Sequence, residues 1–296
     1  MPQPRPINAQ HVRQQFDRRA PLDAPQFLYG EITQRMLERL SAVLMQPQDV
    51  LDAGCGAGHG IDPLRARYVD MNYVGLDISP ALLAVAENRH AQTPSLWQRL
   101  RKKEGNAPVF VEADLAKSGL APESFDLIWS NLALHWHPEP HKVIQEWRRL
   151  LRPDKLLMFS VFGPATFQEL RLAILQSGVD TAGVEFVDMH DYGDMLLQNG
   201  FTDPVMSQEI ITLTYKSADH LIDDIHQMGG NPNPSRKLLM RGNYLRVLDA
   251  LEAQRQMDGT IHLTLEVAYG HAWRAKTLRQ GNDVFIPISS IKKRKD

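Results

Sequence analysis

The sequence predicts an α/β fold built on a parallel β-sheet, and two observations carry this prediction. Short apolar runs alternate with segments of helical periodicity; the runs lie at 50–53, 73–77, 109–111 and 125–130. Their near-continuous apolar character is typical of strands covered by helices on both faces of a sheet. The first run leads into a turn with glycine at alternate positions: Gly54, Gly56, Gly58 and Gly60. Open α/β sheets bind ligands at this end of their strands.

The chain divides into four predicted regions. An N-terminal helical segment precedes a core of alternating strands and helices, which is followed by the remaining strands with a helical lid, and by a tail. These regions are 1–46, 47–163, 164–275 and 276–296. Further strands are expected at 156–161, 210–215 and 261–272, which gives a seven-stranded, mostly parallel sheet. Helices are expected over 11–19, from about residue 30, and over 138–150, 217–228 and 235–257.

Local signals set several element boundaries. Ser79-Pro80 indicates a helix start, with serine as the cap and proline at the first helical position. Thr166 and Glu169 have the spacing of a capping box. A turn is expected at 152–154. The polar stretch 93–108 is long for a connection, and its basic side chains form either a solvated helix face or a docking patch for an acidic partner.

Composition excludes several classes of protein. The chain has 296 residues, of which 43% are hydrophobic, so it can bury a full core. It has no run of about 18 apolar residues that could span a membrane. A net charge of −2 argues against general nucleic-acid binding, which leaves a basic footprint. The single cysteine, Cys55, excludes an internal disulfide and fits a reducing compartment. We expect a cytoplasmic monomer with neither nucleic acid nor membrane as a partner.

The glycine turn predicts a cofactor that contains adenosine. The second apolar run ends in Asp77, about 20 residues downstream, where a carboxylate can accept hydrogen bonds from a ribose. A dinucleotide fingerprint would require glycine in place of His59, and Asp52 would repel a pyrophosphate. An amino-acid cofactor instead brings an ammonium group, which a carboxylate attracts. These residues resemble motif I of the class I methyltransferases that use S-adenosylmethionine (SAM), which implies a Rossmann-like fold.

The resemblance also implies particular cofactor contacts. In such enzymes an acid after the third strand meets the adenine amino group, and Asp114 stands at that place. N-terminal helices fold over the cofactor, so Arg19, Gln26 and Tyr29 are expected near its methionine end, Arg19 against its carboxylate; the alternative is a solvated basic face beside a packed tyrosine. We expect no metal, and Cys55 as a small filler. The expected cofactor-binding residues are Asp52, Ala53, Gly54, Cys55, Gly56, Asp77, Ile78, Asp114, Leu115 and Asn131.

The absence of two motifs narrows the choice of methyl acceptor. Amine methyltransferases often carry Asn/Asp-Pro-Pro-Tyr after the fourth strand, where this chain has Asn131-Leu132-Ala133-Leu134. No catalytic cysteine motif is present either. A carboxylate acceptor needs neither, because it is ionised at neutral pH. The sequence therefore favours O-methylation.

Longer phrases resemble one family in particular. Residues 125–136 and 162–171, with the closing residues 228–230 and 263–273, are similar to the malonyl-acyl-carrier-protein O-methyltransferases of biotin synthesis, and the similarity extends through most of the chain. The resemblance implies methylation of the free carboxyl of a malonyl thioester on acyl carrier protein, which masks that carboxyl for chain elongation. Stretches 16–29 and 162–171 also resemble complex I assembly relatives thought to act on a protein arginine. That function, a SAM-binding scaffold without turnover, and a small-molecule methyltransferase remain alternatives.

A malonyl acceptor requires a cation in the pocket, preferably an arginine. Arg171, inside 162–171, is the first candidate, although a surface helical arginine is an equal alternative. Arg171 and Tyr29 are the expected catalytic residues, and other candidate cations are Arg148, Arg149 and Arg241. The acidic carrier protein is expected to dock on Arg236, Lys237, Arg241 or the 99–103 cluster.

Overall fold

The computed structural model of the protein describes residues 5, 7–20, 26–41, 43–90, 107–179, 185–230 and 241–276. Its strands are β1 Asp49–Ala53, β2 Asn72–Asp77, β3 Val109–Glu112, β4 Phe125–Asn131, β5 Leu151–Phe162, β6 Phe201–Tyr215 and β7 Ile261–Arg274. Its helices are α1 Ala9–Arg19, α2 Gln26–Leu40, α3 Ile61–Arg67, α4 Pro80–His90, α5 Pro140–Leu150, α6 Gln168–Ser177, α7 Met189–Gln198, α8 Ala218–Gln227 and α9 Arg241–Glu252. A short 3-10 helix, Leu134–Trp136, follows β4.

The strands form one seven-stranded sheet in the order β3-β2-β1-β4-β5-β7-β6. Strands β1 to β5 pair in parallel with one another, whereas β7 runs antiparallel to both β5 and β6. The predicted seven-stranded, mostly parallel sheet is confirmed. The strand order reverses direction beside β1, between β1 and β4. Open α/β sheets bind ligands at such a switch point.

Side chains that alternate along the strands build an apolar core on each face of the sheet. In β5, Leu156 and Met158 belong to one core, whereas Leu157 and Phe159 belong to the other. Helices α2, α3, α6, α8 and α9 contribute to the first core, and helices α5 and α7 to the second. The predicted covering of both faces is confirmed.

Two predicted boundaries differ from the structure. Helix α2 begins at Gln26, earlier than the expected residue 30. The expected turn at 152–154 is instead part of β5, which starts at Leu151. A register shift between β4 and β5 and a left-handed Asp154, with φ of 57°, accommodate the proline-containing triplet inside the strand. The Ser79 cap is confirmed, because its Oγ accepts a hydrogen bond from the Leu82 amide at 3.2 Å.

The predicted capping box at Thr166 and Glu169 is wrong. Helix α6 starts after Phe167, which is left-handed, and no side chain caps it. The Thr166 hydroxyl donates to the Glu266 carbonyl at 2.9 Å. The Glu169 carboxylate accepts from the Thr264 amide, also at 2.9 Å. Both side chains therefore join the start of α6 to the neighbouring strand β7, a long-range use that local spacing does not reveal.

The C-terminal helices form a group outside the cofactor core. Helix α9 packs against α6 and α8, and Ser217 caps α8 by accepting from the His220 amide. Residues 235–240 of the expected long helix lie outside the described residues, as does most of 93–108 with its 99–103 cluster, Arg236 and Lys237. No helix in the described ranges is both long and apolar enough to cross a membrane.

Candidate cofactor and acceptor site

The glycine turn after β1 has the backbone geometry that its sequence predicts. Gly54, Gly56 and Gly58 have φ angles of 85°, 51° and 78°, a region that residues with a Cβ rarely adopt. A Cβ on Gly54 would overlap the Cβ of Ala133, which follows β4. The turn therefore brings bare backbone against the loop after β4, at the switch point of the sheet.

Asp52 lies buried beneath this turn. Its carboxylate accepts a hydrogen bond from the Tyr73 hydroxyl at 2.7 Å. Burial raises the pKa of Asp52 to about 7, because a carboxylate removed from water loses hydration. The Tyr73 bond lowers this pKa and the Asp77 charge raises it, both less strongly. A cationic ligand group in the cavity would stabilise the ionised form.

Asp77 joins the glycine turn to the end of β2. Its Oδ2 accepts from the Gly56 amide and its Oδ1 from the Ser79 amide, both at 2.9 Å. Burial raises the pKa of this carboxyl, and the backbone amides oppose the rise. The same carboxylate thus fixes the loop and faces the cavity, where a ribose hydroxyl can donate to it.

One cavity collects most of the predicted cofactor residues. Of the ten, nine line it together with Tyr29, whereas Ala53 does not. The Ala53 carbonyl instead accepts from the Ser130 hydroxyl at 2.7 Å, which joins β1 to β4. The elements after β1, β2, β3 and β4 all supply lining residues, as expected for the carboxyl edge of a parallel sheet.

Asp114, the residue expected to meet adenine, lines the cavity together with Leu115 and Ile78. Asp114 Oδ1 accepts from the Ala116 amide at 2.7 Å and lies 3.3 Å from His137 Nε2. The His137 contact holds the pKa of Asp114 below its usual value, so the carboxylate is ionised at neutral pH. Both contacts use one oxygen, which leaves Oδ2 for an amino group such as that of adenine.

Asn131 and Tyr29 connect the end of β4 to α2. Asn131 Nδ2 donates to the Tyr29 carbonyl and to Thr33 Oγ1, each at 2.9 Å, and its Oδ1 accepts from the Ser160 hydroxyl at 2.8 Å. The Tyr29 ring stacks on His59 with centroids 6.4 Å apart. Burial raises the pKa of Tyr29 to about 12, so its hydroxyl is protonated at neutral pH and is not a general base.

Cys55 packs as the small side chain that the sequence predicts. Its Sγ faces Gly75 of β2, where an added Cβ would come within 2.8 Å of the sulfur. Burial raises the pKa of the Cys55 thiol, which suppresses the thiolate that nucleophilic chemistry requires. No cluster of potential metal ligands occurs in the described ranges.

Helix α1 closes the cavity from above the ends of β2 and β3. Val12, Phe16 and Arg19 of this helix line the cavity. Asp17 Oδ1 accepts from the Ser79 hydroxyl at 2.6 Å, and an ion pair of 2.8 Å joins Arg13 to Glu112 at the end of β3. These contacts fasten α1 to the rim of the cofactor core. The side chain of Gln26 lies outside the described part of the chain.

Arg171 is not among the residues that line the cavity. Its guanidinium donates to the carbonyl of Pro164, at 2.6 Å, and to that of Thr166. These two hydrogen bonds brace the loop between β5 and α6. Burial lowers the pKa of Arg171. His135 also lies apart, buried against Phe162, whereas the neighbouring Trp136 lines the cavity. The other candidate cations, Arg148, Arg149 and Arg241, do not line it either.

Several lining residues have no sequence signal that identifies them. Thr33 and Gln227 come from helices distant in sequence from the glycine turn. Gln227 is the last residue of α8, whose amphipathic pattern predicts a helix but not which end reaches the cofactor. A two-glycine turn, Gly229-Gly230, lies one residue beyond it, and a Cβ on Gly229 would overlap the Trp136 ring. That turn is the one local indication of a close approach.

Comparisons with known proteins agree with this site. A family model described as a methyltransferase domain matches residues 51–159. The YcgJ protein of Bacillus subtilis has the same fold, with a TM-score of 0.57 and 17% identity over 82% of this chain and 100% of that chain. Phosphoethanolamine N-methyltransferase 2 of Haemonchus contortus, solved with SAM, gives a TM-score of 0.56 at 16% identity over 90% of this chain and 60% of that one. The class I methyltransferase fold is confirmed.

Closer relatives cover nearly the whole chain. A malonyl-[acyl-carrier protein] O-methyltransferase of Laribacter hongkongensis is 40% identical over 92% of this chain and 93% of its own length. Enzymes of the same name are 39% identical in a Methylovorus species, over 95% and 94% of the two chains, and 38% identical in Gallionella capsiferriformans, over 90% and 91%. The chain is a methyltransferase whose methyl donor is SAM. The similarity to these enzymes extends through both the cofactor core and the C-terminal helices outside it. The chain therefore belongs to the malonyl-[acyl-carrier protein] O-methyltransferase family.

Proposed function

We propose that this protein transfers the methyl group of SAM to the free carboxylate of a malonyl group carried by acyl carrier protein, in the synthesis of a biotin precursor. The observation that carries the proposal is the 40% identity over 92% of the chain to an enzyme of that name. The chemistry of the acceptor is consistent with the proposal, because a malonyl carboxylate is ionised at neutral pH and needs no general base. The complex I assembly alternative receives no support from relatives at 31–40% identity that all carry the malonyl name.

The chemistry is an in-line displacement at carbon. SAM supplies an activated methyl on a sulfonium: a carboxylate oxygen forms the new O–C bond as the C–S bond breaks, the bonding pair stays on sulfur, and the products are a methyl ester and a neutral thioether. The contribution of the protein is positioning and exclusion of water. The glycine turn, Asp77 and Asp114 hold the donor, and α1 with the end of α8 encloses the reacting groups.

We assign Tyr29 a positioning role beside the methionine end of the donor. Its main-chain carbonyl is bonded to Asn131 and its ring is stacked on His59, so it lies in a fixed place on the cavity wall. Arg171 is retained as a candidate for the acceptor side. Its contacts to the 164–166 carbonyls support an indirect effect, through the shape of the loop, at least as well as direct contact.

The test uses labelled SAM with four acceptors: malonyl-carrier protein, acetyl-carrier protein, malonyl-coenzyme A and a free fatty acid. The proposal predicts transfer to malonyl-carrier protein, with less to malonyl-coenzyme A and none to the acetyl form. Transfer to the fatty acid alone would identify a small-molecule methyltransferase. Absence of transfer to every acceptor, with SAM bound, would instead support a scaffold or a protein target.

A further inference from the structure

Two side chains on the cavity wall come from loops that follow different strands and meet each other. Asp114 follows β3 and His137 follows the 3-10 helix after β4, and both line the cavity. In the sheet order, β2 and β1 lie between β3 and β4. The His137 Nε2 atom nevertheless lies 3.3 Å from Asp114 Oδ1. This contact therefore joins the two loops across the ends of the intervening strands.

The tautomer of His137 follows from its second hydrogen bond. The Nδ1 atom accepts from the Glu139 amide at 3.0 Å, so it carries no proton. The proton of the neutral ring therefore lies on Nε2, which donates to Asp114. The His137 amide itself donates to the Leu134 carbonyl at 3.1 Å, and the side chain is 11% exposed. His137 thus has a fixed ring whose one N–H is directed at Asp114.

These hydrogen bonds fix the carboxylate of Asp114. Its Oδ1 accepts from His137 and from the Ala116 amide, the latter at 2.7 Å. Rotation of the carboxylate about its Cβ–Cγ bond would break both hydrogen bonds. Its Oδ2 accepts no hydrogen bond from any residue that the structure describes. The His137 hydrogen bond also lowers the pKa of Asp114, so at neutral pH the group only accepts. Oδ2 is therefore the oxygen that a ligand can use.

A carboxylate held in this way distinguishes purines by the group on C6. Adenine carries an amino group there, which donates to Oδ2, and the neighbouring N1 is an acceptor. Hypoxanthine carries a carbonyl oxygen at C6, which Oδ2 repels, and its N1–H is a donor. A carboxylate that turned freely would bind this N1–H instead. Because His137 and the Ala116 amide hold Oδ1, that alternative costs two hydrogen bonds.

We propose that His137 determines the purine specificity of the donor site, because by holding Asp114 Oδ1 it presents Oδ2 alone and so selects a 6-amino over a 6-oxo purine nucleoside. His137 acts through Asp114 and is a positioning residue. The inference rests on the expected contact between Asp114 and adenine. It does not depend on which group accepts the methyl.

The experiment compares two ligands that differ only at the purine, 5′-methylthioadenosine and 5′-methylthioinosine. Their dissociation constants are measured by competition with S-adenosylhomocysteine, and the ratio of the two gives the preference for adenine. The variants are His137→Leu, His137→Gln and Asp114→Asn. The matched control is His141→Leu, which changes a histidine of α5 that does not line the cavity. Melting temperatures establish that each variant is folded.

The wild type should prefer the adenine ligand, and His137→Leu should lower this preference about 5- to 20-fold, the value of the lost hydrogen bond to a charged group. His137→Gln should restore part of the preference, because its Nε2 amide can donate to Asp114. Asp114→Asn should invert the preference: with its oxygen still held by His137, its amide nitrogen replaces Oδ2 and donates to the hypoxanthine carbonyl. His141→Leu should keep the wild-type ratio.

A purely structural role for His137 would weaken both ligands equally and leave their ratio unchanged, and that result would overturn the proposal. An equal change of the ratio in His141→Leu would overturn it as well. So would a wild-type ratio in Asp114→Asn, because Asp114 would then not contact the purine. Each measurement is of binding, so failure to methylate malonyl-carrier protein would remove the proposed function and leave this test intact.

Discussion

Asp52 shows how one buried side chain couples ligand binding to pH. Its pKa of about 7 means that it carries a proton over much of the range below neutrality. An unfolded aspartate ionises near pH 4, so the folded state gains stability from this proton at low pH and loses it as pH rises from about 4 through 7. Asp52→Asn should remove this loss.

The same group gives a prediction for the donor. Because the ammonium of SAM favours the ionised form of Asp52, binding below about pH 7 must release the proton, and affinity should fall by up to about tenfold per pH unit. Calorimetry of S-adenosylhomocysteine in buffers of different ionisation enthalpy measures the release. Asp52→Asn should weaken binding about 10- to 100-fold and flatten its pH dependence in this range. A wild-type affinity that does not change between pH 6 and 8 would contradict the assignment.

Arg171 tests whether the loop after β5 affects the acceptor. Its guanidinium braces the carbonyls of Pro164 and Thr166, so Arg171→Ala should raise the KM for malonyl-carrier protein and leave the affinity for SAM intact. We expect KM to increase about 5- to 30-fold. This factor corresponds to the loss of one or two charge-assisted hydrogen bonds whose place is partly taken by water. Steady-state kinetics on the carrier-protein substrate give this KM. An unaltered KM would remove Arg171 from any acceptor role.

At this scale the sequence predicts residues whose chemistry is tied to a local motif. Asp52, Asp77 and Asp114 each end or follow an apolar run, and all three line the cavity. Arg19 and Gln227 also line it. Arg19 was expected there only from the family resemblance and Gln227 was not expected, because their neighbours in sequence do not show what they face. Each has a buried side-chain atom without a hydrogen-bond partner among the described residues, which is a property of the folded chain.

Helix α1 covers one side of the cavity that we assign to the methyl donor. Its fastening to the rim of the cofactor core consists of Asp17 with Ser79 and Arg13 with Glu112. The side chains of Arg13 and Asp17 are 41% and 31% exposed, so each contact is partly screened by water.

Loosening this fastening should speed release of the product. Exposed pairs contribute about 0.2–1 kcal/mol each, so the double variant Arg13→Gln, Asp17→Asn should raise the dissociation rate of S-adenosylhomocysteine about 2- to 10-fold. Stopped-flow displacement by excess SAM measures the rate. Arg18→Gln on the same helix serves as the control and should have no effect. Equal rates in the double variant and the wild type would show that α1 does not limit release.

The boundaries of helices and strands were predicted correctly where they depend on neighbouring residues, and wrongly where contacts with a strand distant in sequence determine them. The Ser79 cap depends on two neighbouring residues and was predicted correctly. Thr166 and Glu169 have equally good local spacing, but β7 offers them better partners in the Glu266 carbonyl and the Thr264 amide. The 152–154 triplet lies between Leu151 and Leu156, the residues of β5 that pair with Phe125 and Leu127 of β4, and the strand continues across it. Tertiary contacts overrode local propensity in both places.

For the whole molecule, the alternation of apolar runs and helices was sufficient to predict the sheet. Burial on both faces requires consecutive residues of each strand to be apolar, and Leu156 to Phe159 show that pattern. The fold does not identify the methyl acceptor, because the same fold hosts many reactions. Here the family similarity extends beyond the matched domain, 51–159, into the helices that enclose the cavity. That extension is what favours a malonyl carrier-protein acceptor.

The most direct measurement is the intact mass of malonyl-carrier protein after incubation with SAM and this protein. The account predicts a gain of one methyl group that fragmentation places on the malonyl end of the pantetheine arm and that mild base removes as an ester. Acetyl-carrier protein, treated identically, should gain nothing. A methyl group on the carrier polypeptide, or no gain while calorimetry shows SAM bound, would contradict the account and direct the search to another acceptor.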